Sequence, residues 1–237
     1  RMKVEARTWR AWYHLNLLRW YGRHDGIPIV DKALNPTEVY MGRNTVEECL
    51  DFLNREFDEI LSVQDEKAFP FLWDEGRRDR ISQAVVLAMK MDINLQFKKY
   101  DLAKAAAKRL IDSGAFELYY DTESGDSDPS ANYRNLFTYK GEQNKERIFF
   151  TRDGASDIWF RNMGTPLGGQ GCAAPLKSLL DTYETIDGKT IQSLPASERG
   201  LYEKDPLYKP RDPRLAATFI LPGDDSSITN YTYKPFD

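Results

Sequence analysis

The chain has 237 residues, of which 41% are hydrophobic and 13% aromatic, enough for one large domain or two small ones. Its 33 Lys and Arg stand against 37 Asp and Glu, a net charge of −4 with both signs interspersed, so no basic field exists for a phosphate backbone and nucleic acid is excluded as an expected partner. No apolar run reaches the roughly 18 residues that a membrane-spanning helix needs.

Residues 2–21 read as a helix with two apolar stripes. Ala6, Trp9, Tyr13, Leu17 and Trp20 form one, and Ala11, Leu15 and Leu18 form the other, so cover is expected on two sides. A connector over 22–44 follows, where Pro28 forbids helix and favours an extended path at Ile27. Thr45 with Glu48 reads as a capping box, opening a helix that carries Val46, Cys49, Leu50, Leu53, Phe57, Ile60 and Leu61 to about Val63. Cys49 on that face is expected to be a buried core thiol. Cys49 and Cys172 are too few and too far apart for a disulfide framework, and no CxxC or Cys/His cluster suits zinc.

Residues 64–79 form a polar and aromatic loop, and 80–114 then read as two antiparallel helices. In the first, Ile81, Ala84, Ala88, Met91 and Leu95 share a stripe. In the second, Leu102, Ala103, Ala106, Ala107, Leu110 and Ile111 share another, with Asp101 as the expected N-cap and Gly114 as the stop. Alanines where the helices meet allow close approach, as in tetratricopeptide-type hairpins that stack on neighbours.

Beyond Gly114 the character changes. Residues 115–120 read as extended, 121–132 as a solvated loop whose acidic spacing does not match the calcium loop, and 147–151 as a strand. A Gly-rich loop covers 153–171, Pro175 opens a short helix through Tyr183, and Asp187-Gly188 makes a turn. Residues 201–237 read as loop, turn and a strand at 215–221. The expected fold is mainly α: tetratricopeptide-like helical hairpins over 1–117, then an irregular loop-rich ligand-binding region with short strands over 118–237.

No catalytic constellation is marked out. His14 and His24 lack a Cys or Glu at ligand spacing and read as structural or surface residues, and the Gly168-Gly169-Gln170-Gly171 run lacks the Lys-Ser/Thr pair of a phosphate loop. The expectation is a non-enzymatic binder with no cofactor and no metal. The 5 Trp, 13 Tyr and 12 Phe exceed what a helical scaffold needs for packing. Sugar rings stack their C–H faces on Trp and Tyr while their hydroxyls seek Arg and Asn. Trp159-Phe160-Arg161-Asn162 offers both types together, and Trp73, near Arg77 and Arg78, is a second candidate.

Three segments together resemble the SusD/RagB family of outer-membrane nutrient-binding lipoproteins. The first is Glu5-Ala6-Arg7 with Arg10-Ala11-Trp12-Tyr13, running through Leu15, Leu18 and Tyr21-Gly22 to Ile27-Pro28-Ile29. The second is the hairpin of 80–118. The third is Leu179-Leu180-Asp181 through Tyr183 to Asp187-Gly188-Lys189, followed by Arg211-Asp212-Pro213-Arg214-Leu215. The resemblance implies capture of oligosaccharide, or of peptide, at the extracellular face of the outer membrane in complex with a SusC-like TonB-dependent transporter. It also implies a longer whole, because the family's N-terminal region with its lipid-anchor cysteine and its later C-terminal helices have no counterpart here; the sequence is read as a fragment. Membrane association is expected only through that anchor. The alternative reading is a protein- or peptide-binding helical-repeat scaffold.

Overall fold

A computed structural model describes residues 1–123, 127–128, 130–142, 144–150, 170, 172, 174–221, 225–226 and 231–232. The described helices are α1 (Met2–Tyr21), α2 (Val46–Leu61), α3 (Gln83–Gln96), α4 (Tyr100–Asp112), α5 (Ala131–Leu136), α6 (Lys177–Thr182), α7 (Ala196–Lys204) and α8 (Arg214–Thr218). Strands β1 (Asp225–Ser226) and β2 (Tyr231–Thr232) pair antiparallel, with Asp225 opposite Thr232. The chain divides into two compact units, 1–118 with 145–152, and 119–144 with 153–237.

In the first unit α3 packs on α4, α1 on α2, and α2 on α3, so two hairpins stack as tetratricopeptide-type hairpins do. Leu15, Leu18, Leu50, Leu53, Phe57, Ile60, Val86, Leu87 and Ile93 form the shared core. The capping box at Thr45 and Glu48 is present in full. Cys49 is buried, its thiol pushed up by desolvation and donating to the Ile27 carbonyl oxygen at 3.4 Å.

Polar ties fix the register of the helices. Glu56 of α2 accepts from Arg7 Nη2 at 2.8 Å and Arg10 Nη2 at 2.5 Å, both on α1. Asn54 and Asn94 exchange amide hydrogen bonds at 3.1 and 2.7 Å between α2 and α3. His14 is structural, as expected. It is buried, Nε2 accepts the Val30 N–H at 3.0 Å, and Nδ1 lies 2.8 Å from the Arg10 carbonyl oxygen, which makes Nδ1 the protonated nitrogen. Gly26 sits at φ +70, and a Cβ there would lie 1.9 Å from the Asn44 carbonyl oxygen, so the connector turn accepts only glycine.

Several expected features are corrected. Only one stripe of α1 is covered: Ala11, Leu15 and Leu18 are buried with Thr8 and His14, whereas Trp9, Tyr13, Leu17 and Trp20 face outward, Trp20 at 72% exposure. On the hairpin, Leu95, Leu102 and Ile111 are exposed, and Val85, Val86 and Leu87 are buried in their place. The N-cap of α4 is Lys99, because Lys98 at φ +60 and a Lys99 N–H bond to the Asn94 carbonyl oxygen at 2.8 Å set the cap two residues before Asp101. Gly114 stops α4 at φ +64, as expected.

In the second unit the predicted strand over 215–221 is replaced at its start by α8. The Asp212 carboxylate accepts the Arg214 N–H at 2.9 Å and Pro213 sets a helical φ of −61 just ahead of the first turn. Residues 147–150, expected within a strand, form none. Asp121, read as part of a solvated loop, is buried and accepts from Lys140 Nζ at 3.0 Å and from Asn135. Among the described residues of this unit the buried side chains form small clusters, Leu215 with Phe219 and Leu221, and Ile191 with Leu194 and Tyr202.

Candidate functional site

The 179–189 and 211–215 segments build one braced structure. Arg211 is buried and its Nη2 donates to the carbonyl oxygens of Leu180 at 2.8 Å and Tyr183 at 2.5 Å, tying the end of α6 to the segment before α8. Desolvation pushes this guanidinium below its ordinary value, with Asp181 and Tyr202 opposing. Backbone bonds lock the pair of segments side by side: Ile186 N–H to the Pro210 carbonyl oxygen at 3.1 Å and Asp212 N–H to that of Glu184 at 3.0 Å. Gly188, at φ +74, closes the turn through its N–H to the Thr185 carbonyl oxygen at 2.9 Å. Tyr183 stacks edge-on against Phe219 at 5.7 Å.

This brace forms one wall of an open cleft of about 450 Å³, within the range typical of small-molecule sites, about 300–1,000 Å³. Glu184, Thr185, Ile186 and Gly188 line it from the turn, Asp212, Pro213 and Arg214 from the head of α8, and Asn132 and Tyr133 from α5. The Arg214 guanidinium spans both oxygens of Asp212, with Nε at 3.0 Å from each. That hydrogen bonding holds the Asp212 carboxyl below the usual carboxylate range, outweighing its partial desolvation. Tyr133 meets Phe137 edge-on at 5.2 Å, which steadies its ring. The cleft therefore sets a ring, an amide, a guanidinium and carboxylates around one opening, the group types that hold polyhydroxylated ligands.

The expected site residues fall elsewhere. Trp159, Phe160, Arg161 and Asn162 lie outside the described residues. Trp73 is 8% exposed, and its indole N–H donates to the Ile81 carbonyl oxygen at 2.8 Å. Arg77 and Arg80 sit over its ring, each 4.9 Å from the centroid. In this position it closes the core beside α3 and leaves little ring face for a ligand to stack on. Among the described residues no group of three or more His, Cys, Asp or Glu side chains could hold a metal ion, and no helix is long and apolar enough to cross a membrane.

No protein-family model matches the sequence, and no curated protein does. Solved structures do. A SusD-like protein from Bacteroides fragilis superposes over 99% of this chain with a TM-score of 0.75 at 22% identity, and over 46% of its own length. A SusD-like carbohydrate binding protein from the same organism superposes over 98% of this chain, also at TM-score 0.75 and 22% identity, and over 42% of its own length. The chain thus has the SusD-like fold and spans less than half the length of these two proteins.

Glu184, Asp212 and Arg214 lie inside the very motifs that carry the family resemblance, and the sequence alone assigns them no binding role. Arg211 and Gly188 are structural; their neighbours point into the cleft. The available signal was alternation along the paired segments, since residues flanking a buried anchor in extended backbone face the other way.

Proposed function

We propose that this chain is part of a SusD/RagB-family binding protein that captures oligosaccharides at the cell surface and passes them to a SusC-like TonB-dependent transporter of the outer membrane. The observation that carries this reading is the SusD-like fold shared with a carbohydrate binding protein over 98% of the chain. The ordered segments at 5–29, 80–118, 179–189 and 211–215 support it from the sequence, and the cleft of Asn132, Tyr133, Glu184, Asp212 and Arg214 supplies the chemistry. In this reading 1–117 is the helical scaffold and 118–237 the ligand-binding region, with Trp159, Phe160, Arg161 and Asn162 as further sugar contacts.

Binding without catalysis fits the cleft. A carboxylate spanned by Arg214 has no proton to give a leaving group, so Asp212 is a poor general acid. Isothermal titration against a panel of neutral oligosaccharides tests the proposal: binding is expected, with Tyr133→Ala and Trp159→Ala each weakening it at unchanged melting temperature. No heat with any glycan, or release of reducing sugar from one, overturns it.

A second reading, a helical-repeat scaffold for a protein or peptide, is favoured by one observation, the outward face of Trp9, Tyr13, Leu17 and Trp20 on α1. Peptide binding that Trp20→Ala abolishes, with no glycan binding, would select this reading.

A further inference from the structure

The cleft beside α8 carries an uneven charge, and this bears on which glycans it accepts. Its charged lining groups are Glu184, Asp212 and Arg214. The Arg214 guanidinium is committed to Asp212 along its Nε edge, at 3.0 Å from both oxygens, so those two neutralise one another. Two carboxylates against one guanidinium leave one negative charge, and it resides on Glu184. That side chain is exposed, and its Oε2 would lie 3.9 Å from a Cβ placed on Gly188, which sets the carboxylate over the glycine turn at the cleft wall. Asn132 and Tyr133, on the opposite side, bring an amide and a phenol but no cation.

Resting on the oligosaccharide reading above, we infer that this cleft takes neutral, hydroxyl-rich pyranose chains and turns away uronic-acid and sulfated ones, with Glu184 as the residue that discriminates. A carboxylate accepts hydrogen bonds from sugar hydroxyls, frequently two at once from adjacent carbons, and these charge-assisted bonds are stronger than neutral ones. An acidic sugar keeps its ring hydroxyls but meets a like charge across the same few ångströms. Specificity of this kind comes from the repulsive element as much as from the attractive one. The state of Arg214 completes the argument: with Asp212 along its Nε edge offsetting its charge, this cation adds no net positive charge for an incoming carboxylate or sulfate. The turn also explains why the charge can sit so close to the ligand's path, because Gly188 places no side chain between Glu184 and the opening.

The test uses the 237-residue chain, the neutral hexasaccharide that binds best, and that same chain oxidised at its C6 hydroxyls to the uronate. At low salt the oxidised ligand is expected to bind about fivefold to tenfold more weakly, the effect of one like charge several ångströms away near a protein surface, and the gap should narrow as salt is added. Glu184→Gln, which keeps the shape of an exposed side chain, should bring the two ligands to within about twofold at low salt, since a neutral amide leaves no charge to repel. Equal or tighter binding of the oxidised chain overturns the inference and leaves the oligosaccharide reading standing. A gap that Glu184→Gln does not alter also overturns it, by showing that the discriminating charge lies elsewhere. Failure of every glycan in the panel to bind removes the oligosaccharide reading, and this inference with it.

Discussion

Glu56 is a carboxylate on which opposing effects meet. Burial pushes its carboxyl up, while Arg7 and Arg10 pull it down, and the two guanidiniums win. Both arginines lie on α1, so the charge fixes how α1 crosses α2. Removing it leaves two cations facing a buried gap, although Arg7 keeps Glu59 at 2.6 Å and Arg10 keeps the Asp31 carbonyl oxygen at 2.5 Å. Glu56→Ala should therefore cost about 1–3 kcal/mol, measured by urea unfolding, less than stripping a fully isolated buried pair. The pH dependence has a definite sign. A carboxyl held lower in the folded than in the unfolded chain adds stability that is complete above its ordinary range of about 4.3, and that drains away as pH falls through the folded value. The wild-type protein should lose stability on acidification through that window more steeply than Glu56→Ala. Parallel pH profiles would remove Glu56 from the account.

At the scale of elements, the α3–α4 hairpin shows what small residues do. Ala84 is fully buried where the helices pack, and Ala103 and Ala106 are buried on α4. Ala84→Leu should destabilise by about 1–3 kcal/mol through overpacking, whereas Leu102→Ala, on the exposed side of α4, should stay within about 0.5 kcal/mol. Comparing the two urea midpoints checks both; equal losses would mean the hairpin packs through its other face. The helix periods, the cap of α2 at Thr45 with Glu48 and the stop at Gly114 are legible in the sequence, whereas the cap of α4 is not. The identity of the buried stripe was not, because a 3.6-residue period says which side chains share a face and not which face meets a neighbour. Trp9, Tyr13, Leu17 and Trp20 make as good a stripe as Ala11, Leu15 and Leu18, yet only the smaller residues lie against α2 and α3. The strand expected over 215–221 failed differently: alternation of apolar residues was overridden by the helix-starting chemistry of Asp212 and Pro213.

At the scale of the whole molecule, the two units differ in how they are held. The first has one continuous core along α1 to α4, and among the described residues the second has small clusters beneath helices of five to nine residues. Short helices draw their stability from packing, so less packing means easier local opening. Hydrogen exchange followed by mass spectrometry should find the slowest amides in α2 and α3 and distinctly faster ones in α5, α6 and α8. Comparable protection across both units would show that the second is stabilised by more than these clusters.

The order of α1 to α4, the capping of α2, the burial of Cys49 and the family resemblance could all be read from the chain alone, because they depend on local spacing and on short motifs. The cleft could not. Asn132 and Tyr133 are some fifty residues from Glu184 and eighty from Asp212, and nothing in a linear sequence weighs contacts across such separations. Arg211 brings the 180–188 turn against the head of α8, and that long-range hydrogen bonding, absent until the chain has folded, turns residues inside a structural motif into the wall of a binding site.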